Sequence, residues 1–75
     1  MEREIKVGKK YRHFKGNIVK VLNIAKHSET LEDMVIYVHT DTNECWARPY
    51  DMFNSLVDKE KYPDIKQKYR FEEVD

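Results

Sequence analysis

A chain of 75 residues with one cysteine, two glycines, two prolines and one tryptophan has few of the devices that small proteins use to hold or break a fold. Cys45 alone excludes an internal disulfide, so no covalent staple supplements a core that a domain of this size keeps small. That composition is the one expected of a reducing cytoplasm. No run approaches the roughly 20 apolar residues of a membrane span, and the first residues, Met-Glu-Arg-Glu-Ile-Lys-Val, lack the apolar core of a secretory signal. No membrane association is expected. Scarce glycine and proline exclude collagen-like and low-complexity classes, and no internal repeat is evident.

What is present is charge and aromatic surface. Hydrophobic residues make up 40% and charged residues 37%, a globular balance, and the formal net charge is zero. The zero hides an asymmetry: residues 1 to 30 carry eight Lys or Arg against three acids, and residues 31 to 75 carry six against eleven. Interleaving of the two halves in a fold partly cancels this. A balanced chain lacks the large basic excess that drives non-specific nucleic-acid binding.

The strongest structural signal lies between Ile18 and Asp41, where two β-branched runs flank the polar joint Ser28 to Asp33. Residues 1 to 8 read as a loose arm, and 9 to 14 as a first strand ending in a turn at Lys15-Gly16-Asn17. In the second strand Val19 and Val21 point one way while Leu22 and Ile24 point the other, so either both faces are covered or a bulge intervenes, and a bend near Leu22-Asn23 is the favoured reading. Centring the joint between Thr30 and Leu31 sets Ile24 opposite Tyr37, Lys20 opposite Asp41 and His39 opposite Leu22. Asn43 is the residue best suited to a positive φ in the next connection.

Cys45-Trp46-Ala47-Arg48, stopped by Pro49, reads as a further strand, and residues 50 to 53 as a 3₁₀ turn in which Met52 and Phe53 plug the core. Residues 54 to 68 read as an extended loop and residues 69 to 74 as the closing strand. The expected fold is all-β: a single domain over residues 1 to 75, built as a small five-stranded SH3-like barrel with a 3₁₀ turn before the last strand. A more open five-stranded barrel is the alternative.

Four segments together resemble a known family. Tyr11-Arg12-His13-Phe14-Lys15-Gly16, Val21 to Thr30, Trp46-Ala47-Arg48-Pro49 with Met52-Phe53, and Tyr69-Arg70-Phe71-Glu72 are similar to the bacterial domain of unknown function numbered sixteen fifty-three. Val19 stands where that pattern has an aromatic residue, and Ala47 where it has a larger β-branched one. The resemblance implies a small bacterial protein with an SH3-like barrel and brings no activity with it.

Candidate site residues follow from the side chains. His27-Ser28-Glu29-Thr30 sets an imidazole, a hydroxyl and a carboxylate on one joint, where loops carry binding residues; as plain turn chemistry, Ser28 and Thr30 would satisfy backbone groups and His27 would cover the strand end. Trp46 and Arg48 share one face of their strand, so with that face outward they could stack on a planar group and hold an anion. With it inward, Trp46 is core. Arg12 and His13 would add a basic wall. Of seven Phe and Tyr residues weighed for a ligand groove, about two are assigned to it, because so short a chain needs the rest for burial.

His13, His27, His39 and Cys45 lack the short paired spacings of zinc sites, and no nucleophile elbow is visible; no metal, cofactor or catalytic residue is assigned. The expectation is a non-enzymatic binding module for a small anionic or planar ligand, a nucleic-acid element or a protein segment, using Arg12, His13, His27, Glu29, Trp46 and Arg48. Two rivals stand beside it: an assembly role as a homodimer through an apolar face on Met34, Ile36 and Val38, and a small hydrolase using His27 or His13 with Glu29.

Overall fold

The computed structural model describes residues 4–74. Five antiparallel strands, β1 (Lys10–His13), β2 (Ile18–Lys26), β3 (Asp33–His39), β4 (Cys45–Pro49) and β5 (Phe71–Val74), form one sheet in the order β4-β3-β2-β1-β5. β4 and β5 are its two edges, so the sheet is open rather than closed into a hydrogen-bonded barrel. One turn of α-helix, α1 (Tyr50–Phe53), precedes the long connection to β5. The turn expected as 3₁₀ closes with an α-type bond instead, Asn54 N–H donating to Tyr50 C=O at 2.9 Å.

Strand alternation sorts the side chains into two layers. The inner layer is Tyr11, Val19, Val21, Val35, Tyr37 and Phe71, all buried, with Phe53 of α1 laid across them. Phe53 stacks on Phe71 at 4.1 Å and meets Tyr11 and Tyr37 at 5.6 and 5.4 Å. Phe53 plugs the core as expected, whereas Met52 is 48% exposed and does not. Helical geometry explains the split, since neighbours on one turn point about 100° apart.

The change of face within β2 has the expected cause, a bulge between Val21 and Asn23. The expected register does not hold. Ile24 faces Val35, Val21 faces Tyr37, and His39 faces Val19. The joint is centred one residue earlier, between Glu29 and Thr30, because His27 N–H donates to Glu32 C=O and Leu31 N–H to His27 C=O, and the bulge shifts the pairing by one residue more beyond Asn23. Leu31 takes φ 64° to make this turn, and Lys26 then pairs with Asp33 at 2.7 Å.

Of the segment read as an arm, residues 1 to 3 lie outside the described part. Ile5 is buried in the core cluster, its N–H donating to the Tyr50 hydroxyl and that of Lys6 to the Tyr11 hydroxyl. The outer face carries Met34, Ile36 and Val38, half-buried, at the positions where register sets them beside Ala25, Asn23, Lys20, Ala47 and Cys45. No helix among the described residues is long and apolar enough to cross a membrane.

Candidate functional site

The curl of the sheet carries one edge toward the other. Arg48, near the end of β4, reaches β5, its Cζ 5.6 Å from the centre of the Phe71 ring. The space left along this seam is a cavity of about 300 Å³ lined by His13, Phe14, Lys15, Arg48, Asp58, Lys61, Tyr62 and Arg70. Four cations thus face one carboxylate.

Each wall is fixed by backbone bonding. Arg70 N–H donates to Ser55 C=O and Phe14 N–H to Arg70 C=O, which ties the end of the long connection to both sides of the seam. Val57 N–H donates to Lys68 C=O, and Leu56 bridges Tyr69. Asp58 Oδ1 accepts from the N–H groups of Glu60 and Lys61, at 3.1 and 3.3 Å, and so shapes the turn that presents Lys61 and Tyr62. The opposite wall comes from the β1–β2 hairpin, where Gly16 at φ 106° lets Lys15 and Phe14 reverse direction within one turn. Gln67 fastens connection to sheet by donating to Arg12 C=O.

The electrostatics are one-sided. The two salt bridges among the described residues, Lys6–Glu73 and Lys26–Asp33, both lie elsewhere. Arg70 Nε is buried with no hydrogen-bond partner, and Arg48 Nε makes only a long bond of 3.4 Å to the Tyr37 hydroxyl. Lys15 stands 5.6 Å and Lys61 5.7 Å from the centre of the Tyr62 ring.

His13 sits among these cations with its ring against Phe14 and Phe71. Its pKa is lowered from 6.5 to about 4, first by burial and then by the charges of Arg48, Lys15, Arg70 and His39. Its Nδ1 accepts the Lys15 N–H at 3.1 Å, which leaves the neutral ring's proton on Nε2 as a donor.

A pH dependence follows. Because the folded pKa lies below the unfolded one, the stability linked to neutral His13 is intact above pH 6.5 and is lost as pH falls from there through about 4. His13→Asn keeps an acceptor for Lys15 N–H and removes the titration. In denaturant melts at pH 7 and 4.5, wild type should lose more stability than this variant; equal losses would contradict the assignment.

The six residues singled out in the sequence are not gathered together. His13 and Arg48 line the cavity. Trp46 lies two residues from Arg48 on the same inner face, opposite Tyr37, yet is 52% exposed because β4 is an edge. Ala47 faces outward. Arg12 is on the outer face opposite Glu72.

His27 and Glu29 belong to the hairpin joint, where His27 Nδ1 accepts the N–H groups of Glu29 and Thr30 at 3.1 and 3.2 Å. The same turn occurs twice. His27-Ser28-Glu29-Thr30-Leu31-Glu32 and His39-Thr40-Asp41-Thr42-Asn43-Glu44 close with identical backbone bonds, with a Thr Oγ1 accepting the N–H of the final Glu and a left-handed residue, Leu31 or Asn43, between them. The His27 imidazole and the Thr30 hydroxyl therefore serve turn geometry.

Lys15, Asp58, Lys61 and Arg70 were not anticipated as site residues, and Phe14 and Tyr62 only among the seven aromatics weighed for a ligand groove. Four of the six lie in or at the end of the long connection, whose apolar spacing has no readable period. Among the described residues no group of three His, Cys, Asp or Glu side chains is placed to hold a metal ion.

A family model described as protein of unknown function (DUF1653) matches residues 9–73, so the chain belongs to that family. The match takes in both walls of the cavity. No curated protein and no solved structure matches the chain significantly.

Proposed function

We propose that this member of the DUF1653 family is a non-enzymatic binding module that holds a compact anion in the seam cavity. The supporting observation is the convergence of Lys15, Arg48, Lys61 and Arg70 on one recess where, among the described residues, the one carboxylate is that of Asp58, which accepts from backbone N–H groups. Four cations with a single carboxylate among them repel one another, and an anion entering the recess relieves that repulsion. Arg48 and Arg70 supply forked donors suited to phosphate or carboxylate oxygens, and His13 adds a neutral N–H. Among the described residues no Ser, Thr or Cys lines the recess, and the Nδ1 lone pair of His13 is taken by Lys15 N–H. Binding accounts for these features more simply than catalysis.

In this reading the open sheet is an SH3-like barrel whose seam is bridged by side chains instead of strand pairing, with the ligand occupying the seam. The exposed thiol of Cys45 suits a reducing compartment such as the cytoplasm of a bacterial cell.

Calorimetric titration of the intact chain with inorganic pyrophosphate tests the proposal. The expected result is binding with Kd on the order of 0.1 to 1 mM at low ionic strength, weakening as salt rises. Binding that ignores salt, or no binding at pyrophosphate concentrations of about 10 mM, would overturn it.

A further inference from the structure

We infer that Trp46 forms a second subsite beside the cavity, so that the ligand is a 5′-nucleotide whose phosphate enters the seam and whose base stacks on the indole. The inference rests on the anion reading of the cavity and specifies its substrate class.

Three features carry it. Trp46 and Arg48 occupy successive positions on the inner face of β4, opposite Tyr37 and Val35, which sets their side chains about 7 Å apart along the strand. That step is close to the separation of phosphate and base in a nucleotide. Second, the indole is half uncovered although it shares its face with the core, and its aromatic neighbour His39 meets it at 6.0 Å with the rings 64° apart. An edge contact of this kind leaves a ring face open for stacking.

Third, the aromatic rings inside the cavity are already occupied. Tyr62 packs on Phe14 at 4.9 Å and has Lys15 and Lys61 beside it, so a base stacked there would displace a cation from the anion site. A recess of about 300 Å³ lined by four cations takes a phosphate or diphosphate with its water. Ring and phosphate are then held by separate parts of the surface, linked through the one strand that carries both Trp46 and Arg48.

Because Trp46 is the only tryptophan, its fluorescence reports the second subsite alone. The intact chain is titrated with inorganic phosphate, a nucleoside, the matching nucleoside 5′-monophosphate, and a trinucleotide with and without its 5′-phosphate. Base stacking on an aromatic side chain is worth about one to two powers of ten in affinity. The monophosphate should therefore bind at least about tenfold tighter than inorganic phosphate and quench Trp46, while the nucleoside alone binds far more weakly.

Trp46→Ala should bring the monophosphate down to the affinity of phosphate and leave phosphate itself unchanged, with Trp46→Phe recovering part of the loss. Circular dichroism checks that both variants fold, and an unfolded Trp46→Ala leaves Trp46→Phe and wild-type fluorescence to decide. Tighter binding of either the free nucleotide or the 5′-phosphorylated trinucleotide supports the subsite and names the source of the ligand. The inference falls if phosphate binds and the monophosphate binds no tighter, if quenching is absent, or if the 5′-hydroxyl trinucleotide binds as well as the phosphorylated one. Failure of phosphate and every nucleotide to bind removes the anion reading as well.

Discussion

Replacing Phe53 with Ala should remove about 3 to 5 kcal/mol of stability, which for a domain of this size is about a quarter of the total or more. Phe53 is fully buried and contributes to three ring contacts, stacked on Phe71 and angled to Tyr11 and Tyr37. Truncation loses the transfer free energy of the ring and leaves a hole that rigid β-strands cannot collapse to fill. Stabilities of roughly 0.05 to 0.15 kcal/mol per residue leave little reserve in so short a chain, and no disulfide limits its unfolded state. Leu56→Ala is the comparison. Leu56 is 55% exposed, so its truncation should cost less than about 1 kcal/mol. Urea unfolding of both variants measures the difference; similar midpoints would mean that the core is not centred on Phe53.

Reversing the charge at Arg48 should have the largest effect on binding. Arg48→Glu changes the local charge by two units beside a ligand of charge about −2. At roughly 5 Å in a water-like dielectric this amounts to about 3 kcal/mol, or two powers of ten in Kd at low salt. The same variant also loses the contact with Phe71 and the long bond to the Tyr37 hydroxyl, so its unfolding midpoint must be recorded alongside. Arg48→Gln separates the two effects, because it keeps much of the aliphatic stem and removes the charge. It should weaken pyrophosphate about tenfold with little change in stability. An unchanged Kd in a folded Arg48→Gln protein would remove Arg48 from the site.

Much of the fold was legible because strand chemistry is local. Alternation in residues 9 to 14 and 69 to 74, and the apolar run Met34 to Val38, mark strands whatever they pair with, and the change of face between Val21 and Ile24 pointed to a bulge or to two covered faces, of which the structure has the bulge. Register was not legible, because it depends on where a turn closes and on the residue that a bulge takes out of the pairing. The bonds that set the first joint one residue earlier join His27 to Glu32 and Leu31, and nothing in the sequence marks Leu31 for the positive φ it adopts. One signal was overlooked: the sequence His-x-acid-Thr-x-Glu begins at both His27 and His39, and a motif repeated at two strand ends points to turn geometry rather than to a site.

The charge pattern was misleading for a different reason. Of the basic residues among 1 to 30, Arg12 and Lys20 lie on the outer face and Lys15 lines the cavity, whereas Arg48, Lys61 and Arg70 come from the acidic half, the last two brought there by the long connection. Local charge density is set by tertiary structure, which a running balance along the chain does not contain. His13 and Arg48 could be selected from sequence as a basic residue beside aromatics and a partner of the only tryptophan. Their meeting across the seam depends on sheet curl and on the anchoring of Arg70 between Ser55 and Phe14.

The central claim is that an anion is held at the seam. It is tested most directly by following the backbone amides and arginine Nε–H groups of the isotope-labelled protein by NMR during a pyrophosphate titration. The account predicts saturable shifts confined to His13 to Lys15, Arg48, Asp58 to Tyr62 and Arg70, with the Arg70 Nε–H moving furthest because it acquires the acceptor it lacks. Shifts centred on the His27–Glu32 joint or on the outer face of β1, with the seam unmoved, would contradict it.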